Sequence, residues 1–542
     1  MRKGILRACS AYSGALFSFV VIVVFFVSFY GHWPLWEDHG ILHRIVFEIS
    51  QGLRPYVDIP EFNWPGIYGI HYLARLISGS SAVGLRVLDS IFVFSACFAL
   101  LFILREAKAG FAVRLLCVSA YLLSYYMGGM GNTAQRESFA APAILLGLLP
   151  WIRGANADQP VSVPWYIASG IGMATGVLIK PTVWPLGFVA VLWAVWRELF
   201  RGQTWVRLIA CGAGGCVPVL LAGGWLWKNG AVEGFWRWGV HFTSSSYSTW
   251  QLSPGELALY IVRNVSTRGS PFCSFLFVVA LISWFAANRK RAGKFSPSRL
   301  MIFGLAILVA SVAIVWMQYK GTVYHCIPLQ WAFALNAGII LVQVPWAQKL
   351  ELRKRTVLAW CTAGLFMFAL FMAGVGMQRP EGGFWRPWSW APTPGTQLGR
   401  QMKSVLRPRE TAVVFDYQGQ NILVALERVS PYPYPNGMYV LLSATYPHNP
   451  LWATLLEELE LALQRPEVRF YVFEEVQDIW PEAAQLVKPL LNGRPVLQHI
   501  LNTQFHVNDQ LSSRRFMVYE KKRDDKVNRY ESATTVHLPS TE

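Results

Sequence analysis

Long apolar runs separated by short polar stretches divide roughly the first two thirds of the chain. They fall near Ala11–Tyr30, Ala82–Ile103, Val113–Tyr126, Phe139–Ile152, Val163–Ile179, Thr182–Trp196, Leu208–Trp227, Pro271–Ala287, Leu300–Trp316, Tyr324–Val344 and Thr356–Met377. As helices, runs of this kind match a bilayer core of ~30 Å, so the pattern predicts about 11 transmembrane helices over residues 1–377. After Gln378 the pattern changes. A Pro/Trp-rich connector, 378–398, contains WRPWSWAPTPG, and beyond it TAVVFDY, YVLLSA, VRFYVFEE and RRFMVYEK read as strands. Leu451–Leu463 and Trp480–Leu491 read as helices, which makes 399–520 a small α/β domain. The polar segment 521–542 reads as a disordered tail. The expected fold class is therefore mainly α, a polytopic membrane protein with a small C-terminal α/β domain.

Composition agrees with a membrane protein. Of 542 residues, 54% are hydrophobic and 15% charged, against about 25% charged in a soluble domain. The net charge of +17 sits in short loops between apolar runs, so it reports orientation and not nucleic-acid binding. Arg2, Lys3 and Arg7, then Arg105, Lys108 and Arg114, Arg153, Arg197, Arg201 and Arg207, NRKRAGK and QKLELRKR fall on one side. That places the N-terminus inside, behind an uncleaved signal anchor, and an odd number of spans puts the C-terminal domain outside. The eight cysteines lie in or beside apolar segments with no CxxC pair, and read as small apolar fillers. No internal repeat suggests a transporter built from inverted halves.

Candidate chemistry concentrates in the outer loop 31–81, expected to hold amphipathic helices. From His32 to Gly66 it carries Glu37, Asp38, Glu48, Asp58 and Glu61 together with His32, His39 and His43. The helix read through HGILHRIVFEIS ends at Gly52, and RPYVD and NWPG form turns. Glu37 and Asp38 have two readings. One is a general base that accepts a proton from an acceptor, and the other is acids capping a helix. His39 and His43, four apart, would share a helix face, with Asp58, Glu61 or His325 as further ligands of a divalent metal, although no cofactor is firmly indicated. Lys180 and Lys320 end apolar runs, where they either snorkel to the interface or, with Arg136, bind a lipid phosphate. Arg86 and Asp89, three apart, read as a structural pair. The Trp/Ser-rich segment 228–256 is either part of an interfacial aromatic belt or a lid presenting Arg237, His241 and Tyr247.

Asp38-His39-Gly40, Gly52-x-x-Pro55-Tyr56-x-Asp58 and Trp64-Pro65-Gly66 together resemble the first outer loop of GT-C superfamily glycosyltransferases, of the bacterial protein O-mannosyltransferase and lipid A aminoarabinose transferase kind. The resemblance continues through Gly131-Asn132-Thr133-Ala134-Gln135-Arg136-Glu137, Gly176-Val177-Leu178-Ile179-Lys180-Pro181 and Gln318-Tyr319-Lys320-Gly321-x-x-Tyr324-His325. It implies a GT-C-like bundle and a periplasmic active site in a bacterial inner membrane. Asp38 would be the catalytic acid residue, with Glu37 its nearest substitute. His39 stands where the family often has Glu. Lys320, Lys180, Arg136, Tyr324 and His325 would bind the donor phosphate, and Asp58, Glu137, His39, Arg237 and His241 the rest of the substrates. The implied partners are a polyprenyl-phosphate sugar donor, membrane lipids and a periplasmic glycan, lipid or protein acceptor. Two rival readings are a lipid or polysaccharide transporter that recognises the same phosphate without chemistry, and a structural membrane subunit.

Overall fold

The computed structural model describes residues 30–156, 161–199, 205–245, 253–267, 270–289, 298–318, 322–344, 392–415, 420–435, 451–474, 491–513 and 516–522. The first and last apolar runs, the YVLLSA strand, most of the helix expected at 480–491 and the tail beyond 522 lie outside these residues. The chain divides into two compact units. One holds residues up to Val46, Arg54–Val57 and Phe62–Thr393, and the other Phe47–Leu53, Asp58–Glu61 and Pro394 onward.

In the first unit the apolar runs become helices. The loop supplies α1 (Glu37–Ser50), whose last turn already belongs to the second unit, and α2 (Gly66–Ser78). Then come α3 (Val83–Glu106), α4 (Phe111–Met127), α5 (Arg136–Asn156), α6 (Val163–Ile179), α7 (Trp184–Leu199) and α8 (Trp205–Lys228). They are followed by α9 (Pro254–Thr267), α10 (Pro271–Arg289), α11 (Arg299–Gln318) and α12 (Ile327–Leu341). Among the described residues, five segments are long and apolar enough to cross a membrane: Val83–Glu106, Trp205–Lys228, Pro271–Asn288, Arg299–Gln318 and Val323–Leu341. This is a multi-pass membrane protein.

Two 3-10 turns matter for the site: Pro181–Val183, between α6 and α7, and Val323–Cys326, leading into α12. α11 packs on both turns and on α5. Glycine sets two of the helix contacts. A Cβ on Gly170 of α6 would lie 1.8 Å from the Cys211 carbonyl oxygen of α8, so these helices approach backbone to backbone. A Cβ on Gly66 would lie 2.8 Å from the Leu178 carbonyl, so the start of α2 is pressed onto the end of α6, beside Lys180. The cysteines at 97, 117, 211, 216, 273 and 326 are all free thiols.

The second unit holds a four-stranded sheet in the order β1 (Thr411–Phe415), β2 (Val468–Glu474), β4 (Phe516–Lys521), β3 (Phe505–Val507). β1 runs parallel to β2, while β4 is antiparallel to β2 and β3. Its helices are α13 (Pro394–Val405), α14 (Gln420–Leu426), α15 (Leu451–Gln464) and α16 (Pro495–Gln504). Leu398, Met402, Val414, Ile422, Val472 and Val518 are part of its core. The buried Glu48 carboxylate accepts the Ser430 amide at 3.4 Å within this unit.

Candidate active site

The loop carrying Asp38 is fixed from below by two buried charges of α3. Arg86 donates from Nε to the Trp33 carbonyl (3.3 Å), from Nη2 to the Pro34 carbonyl (2.7 Å) and from Nη1 to Thr133 Oγ1 (3.1 Å). One turn on, Asp89 accepts from the hydroxyls of Tyr30 and Tyr125 (the latter 2.6 Å), from Ser138 Oγ (3.0 Å) and from the Ala134 amide (3.0 Å). Arg86 and Asp89, three apart on one side of α3 and both buried, take their hydrogen bonds from other segments: Arg86 donates to two backbone carbonyls and a threonine hydroxyl, and Asp89 accepts from three hydroxyls and one backbone amide. Arg86 holds the chain leading into α1, and Asp89 holds the turn leading into α5. Ala134 sits at φ 57°, a region that costs a non-glycine residue about 1–2 kcal/mol, and its amide is bound by both Asp89 and Tyr125.

Those two anchored segments meet at the site. Arg136, the first residue of α5, donates from Nη2 to Asp38 Oδ2 (3.4 Å) and from Nη1 to the Asn63 side-chain oxygen. Tyr324, in the 3-10 turn before α12, donates its hydroxyl to the same Asp38 oxygen at 3.0 Å. Asp38, Arg136 and Tyr324 therefore come together, although 98 residues separate the first two and 286 separate Asp38 from Tyr324. Arg136 and Tyr324, both expected at the donor phosphate, each contact the acid. Two donors on one carboxylate oxygen, one of them charged, restrict its orientation.

Next along α5, Glu137 is buried and pairs with Lys180 Nζ at 2.9 Å, and His325 Nε2 lies 4.0 Å from the same carboxylate oxygen. Lys180 is 7% exposed, so it does not snorkel. It is the C-cap of α6, where Pro181 ends the helix and leaves the side chain beside α5. Burial lowers its pKa from the usual lysine value to about 8, with Glu137 opposing that shift and Arg136 adding to it. The ammonium is thus charged at neutral pH and close to its titration point.

The histidines take separate partners. The Trp36 amide donates to His39 Nδ1 (3.1 Å), and His39 Nε2 lies 3.4 Å from Gln135 Nε2. His43 turns the other way, its Nδ1 2.7 Å from Nδ1 of His71 on α2. His39 and His43, four apart on α1, do not converge: their ring nitrogens face different groups. Among the described residues no three His, Cys, Asp or Glu side chains gather as metal ligands. Burial holds His39, His43 and His71 well below the usual histidine range, His43 at about 3, so all three are neutral.

The remaining expected residues are dispersed. Glu37 begins α1 but its side chain is outside the described set, as are Lys320 and Tyr247. Arg237 and His241 are exposed on a π-helical segment, Trp236–Phe242, and Arg237 lies over the Trp238 ring with 5.4 Å to the centroid. That segment is tied to the loop by Trp64 Nε1, which donates to the Gly239 carbonyl at 3.3 Å. π-helical turns are rare and frequent at functional sites. Asp58 belongs to the second unit. Sequence reading missed Asn63, Gln135 and His71. Asn63 stands inside the EFNWPG turn, where its type signals only a turn.

No protein-family model and no curated protein matches the chain. Solved structures do. ArnT from Cupriavidus metallidurans bound to undecaprenyl phosphate superposes with a TM-score of 0.58 and 15% identity, over 93% of this chain and 97% of that one. The same protein in the apo state gives 0.56 and 15%, over 94% and 98%. The archaeal oligosaccharyltransferase AglB from Archaeoglobus fulgidus, in complex with an inhibitory peptide and a dolichol-phosphate, is more distant, at 0.46 and 12%, over 90% and 71%. The chain shares the fold of these ArnT structures.

Proposed function

We propose that this protein is a GT-C-type glycosyltransferase that moves a sugar from a polyprenyl-phosphate donor to an acceptor on the periplasmic face of a bacterial inner membrane. One observation carries the reading. The acid loop, the start of α5, the end of α6 and the turn before α12 bring Asp38, Arg136, Tyr324, Glu137 and Lys180 to neighbouring positions, on a fold shared with an ArnT structure that holds undecaprenyl phosphate. Asp38 is the general base. It takes the proton of the acceptor hydroxyl or amine as that atom attacks the anomeric carbon. The bond from that carbon to the phosphate oxygen breaks, and the electron pair leaves with the polyprenyl phosphate. Lys180 and Arg136, with Lys320 of the QYKG motif, offset the charge gained by the leaving phosphate. Tyr324 and Arg136 hold the Asp38 carboxylate in place beforehand. The positive-inside distribution of Lys and Arg supports an inside N-terminus and an outer C-terminal α/β domain.

Mass spectrometry of the cell envelope from a deletion strain tests the reading. A glycan, lipid or protein that has lost one sugar is expected, with the wild-type gene restoring it and Asp38→Asn failing to. An unchanged envelope sugar inventory, accompanied by lipid-linked sugar trapped on the inner leaflet, would instead mark a transporter.

A further inference from the structure

Gln318 is the last residue of α11, five residues before Val323, where the Val323–Cys326 turn that carries Tyr324 and His325 begins. Gln318 is 8% exposed, yet among the described residues neither its amide nitrogen nor its amide oxygen has a hydrogen-bond partner. Primary amides are seldom left this way, because an unmet donor and an unmet acceptor are both penalised away from water. Gln318 is not alone. Thr182 Oγ1, in the turn after Lys180, and Thr322 Oγ1, at the start of the turn after α11, are buried without partners too. So is Glu137 Oε2 at the start of α5. These groups stand on α5, on the end of α11 and on the two 3-10 turns, and α11 packs on the other three elements.

The chemistry of the unmet atoms separates two ligands. A phosphate oxygen accepts hydrogen bonds, so a phosphate alone would satisfy the Gln318 nitrogen and the threonine hydroxyls but leave Gln318 Oε1 and Glu137 Oε2 unmet. Both of these are acceptors and require a donor. A sugar presents hydroxyls, each of which donates and accepts, and a vicinal pair matches the side-by-side N–H and C=O of an amide.

We propose that Gln318 is a specificity-determining residue that binds adjacent hydroxyls of the donor sugar, with Thr182 and Thr322 beside it, while Lys180 serves the phosphate. This rests on the reading of a polyprenyl-phosphate sugar donor. A site whose buried amide is met only by the sugar rejects a ligand lacking those hydroxyls, since the amide then stays unpaired.

The test uses the purified full-length protein in lipid nanodiscs and the volume-conserving Gln318→Met. Affinity is measured for undecaprenyl phosphate and for a panel of undecaprenyl-phosphoryl hexoses and pentoses. Wild type is expected to prefer at least one sugar-bearing lipid over the bare lipid. Gln318→Met is expected to reduce that preference about tenfold or more while holding undecaprenyl phosphate within twofold of wild type. It is also expected to raise the melting temperature without lipid, because it removes an unpaired buried amide. A preference that survives the substitution overturns the inference, as does a parallel loss of affinity for the bare lipid. If wild type binds undecaprenyl phosphate but prefers no sugar-bearing form, the inference fails and the lipid-phosphate reading stands. If it binds none of these lipids, the proposed function itself fails.

Discussion

Two halves of the site, one centred on Asp38 and the other on Lys180 and Gln318, are built on opposite terms. Around Asp38 the named polar groups are engaged: Tyr324 and Arg136 hold its carboxylate, Asn63 receives Arg136, and Arg86 and Asp89 pin the backbone on either side. In the other half Glu137 pairs with Lys180 and lies 4.0 Å from His325, and among the described residues polar atoms of Glu137, Thr182, Gln318 and Thr322 have no hydrogen-bond partner. The first half is preorganised. The second carries the donors and acceptors assigned above to the donor sugar. In a transferase the base has to be held still and the donor site has to receive its ligand, and that division is what the two halves display.

Several changes break or sharpen the contrast. The largest effect is expected from Asp38→Asn, which keeps an oxygen for Tyr324 but removes the base. Sugar transfer should fall by roughly 10²–10⁴-fold, with undecaprenyl phosphate affinity within a few-fold of wild type, read by transfer assay and lipid binding on the same preparation. Lys180→Met leaves the Glu137 carboxylate buried without its cation, and should cost about 3–5 kcal/mol of stability in chemical or thermal unfolding. Adding Glu137→Gln should recover most of that stability but not the lipid affinity, since a ligand-binding cation is still missing.

Asp89→Asn tests the preorganised half from a distance. It weakens four hydrogen bonds to one carboxylate, and about 1–3 kcal/mol of stability should be lost, with kcat falling more than lipid affinity as the start of α5 loosens. The smallest effect is a pH dependence. Lys180 titrates near 8 in the folded protein, below the unfolded lysine value, so its charge is present below that point and lost above it. Lipid-phosphate affinity should decline as pH rises through about 8. Stability should move the other way between 8 and the usual lysine value, because there the unfolded chain binds more protons than the folded one. Isothermal binding and thermal melts across pH 7–10 would separate the two slopes, and a flat affinity profile would remove Lys180 from the phosphate role.

How far the sequence anticipated this differs by scale. The apolar runs from Ala82 to Val344 each contain a helix, because membrane burial forces a continuous apolar stretch and leaves little ambiguity. The strands at TAVVF, VRFYVFE and FMVYEK were equally visible in their alternation. The connector was drawn to residue 398, yet its last five residues, PGTQL, already belong to α13, which begins at a proline that suits a helix start. Asp38, Arg136, Tyr324, Glu137 and Lys180 were legible as members of motifs, but their pairings were not. Asn63 and Arg136 are 73 residues apart, and His43 meets His71 rather than a partner at helical spacing. No periodicity records such contacts, nor the carbonyls and hydroxyls that Arg86 and Asp89 bind.

The most direct measurement is the release of polyprenyl phosphate from undecaprenyl-phosphoryl sugars by the purified protein in proteoliposomes made from its own envelope lipids, followed by mass spectrometry. The expected result is undecaprenyl phosphate appearing in step with a sugar-bearing acceptor, at equal amounts. Intact donor that crosses the bilayer without losing its sugar would contradict the account.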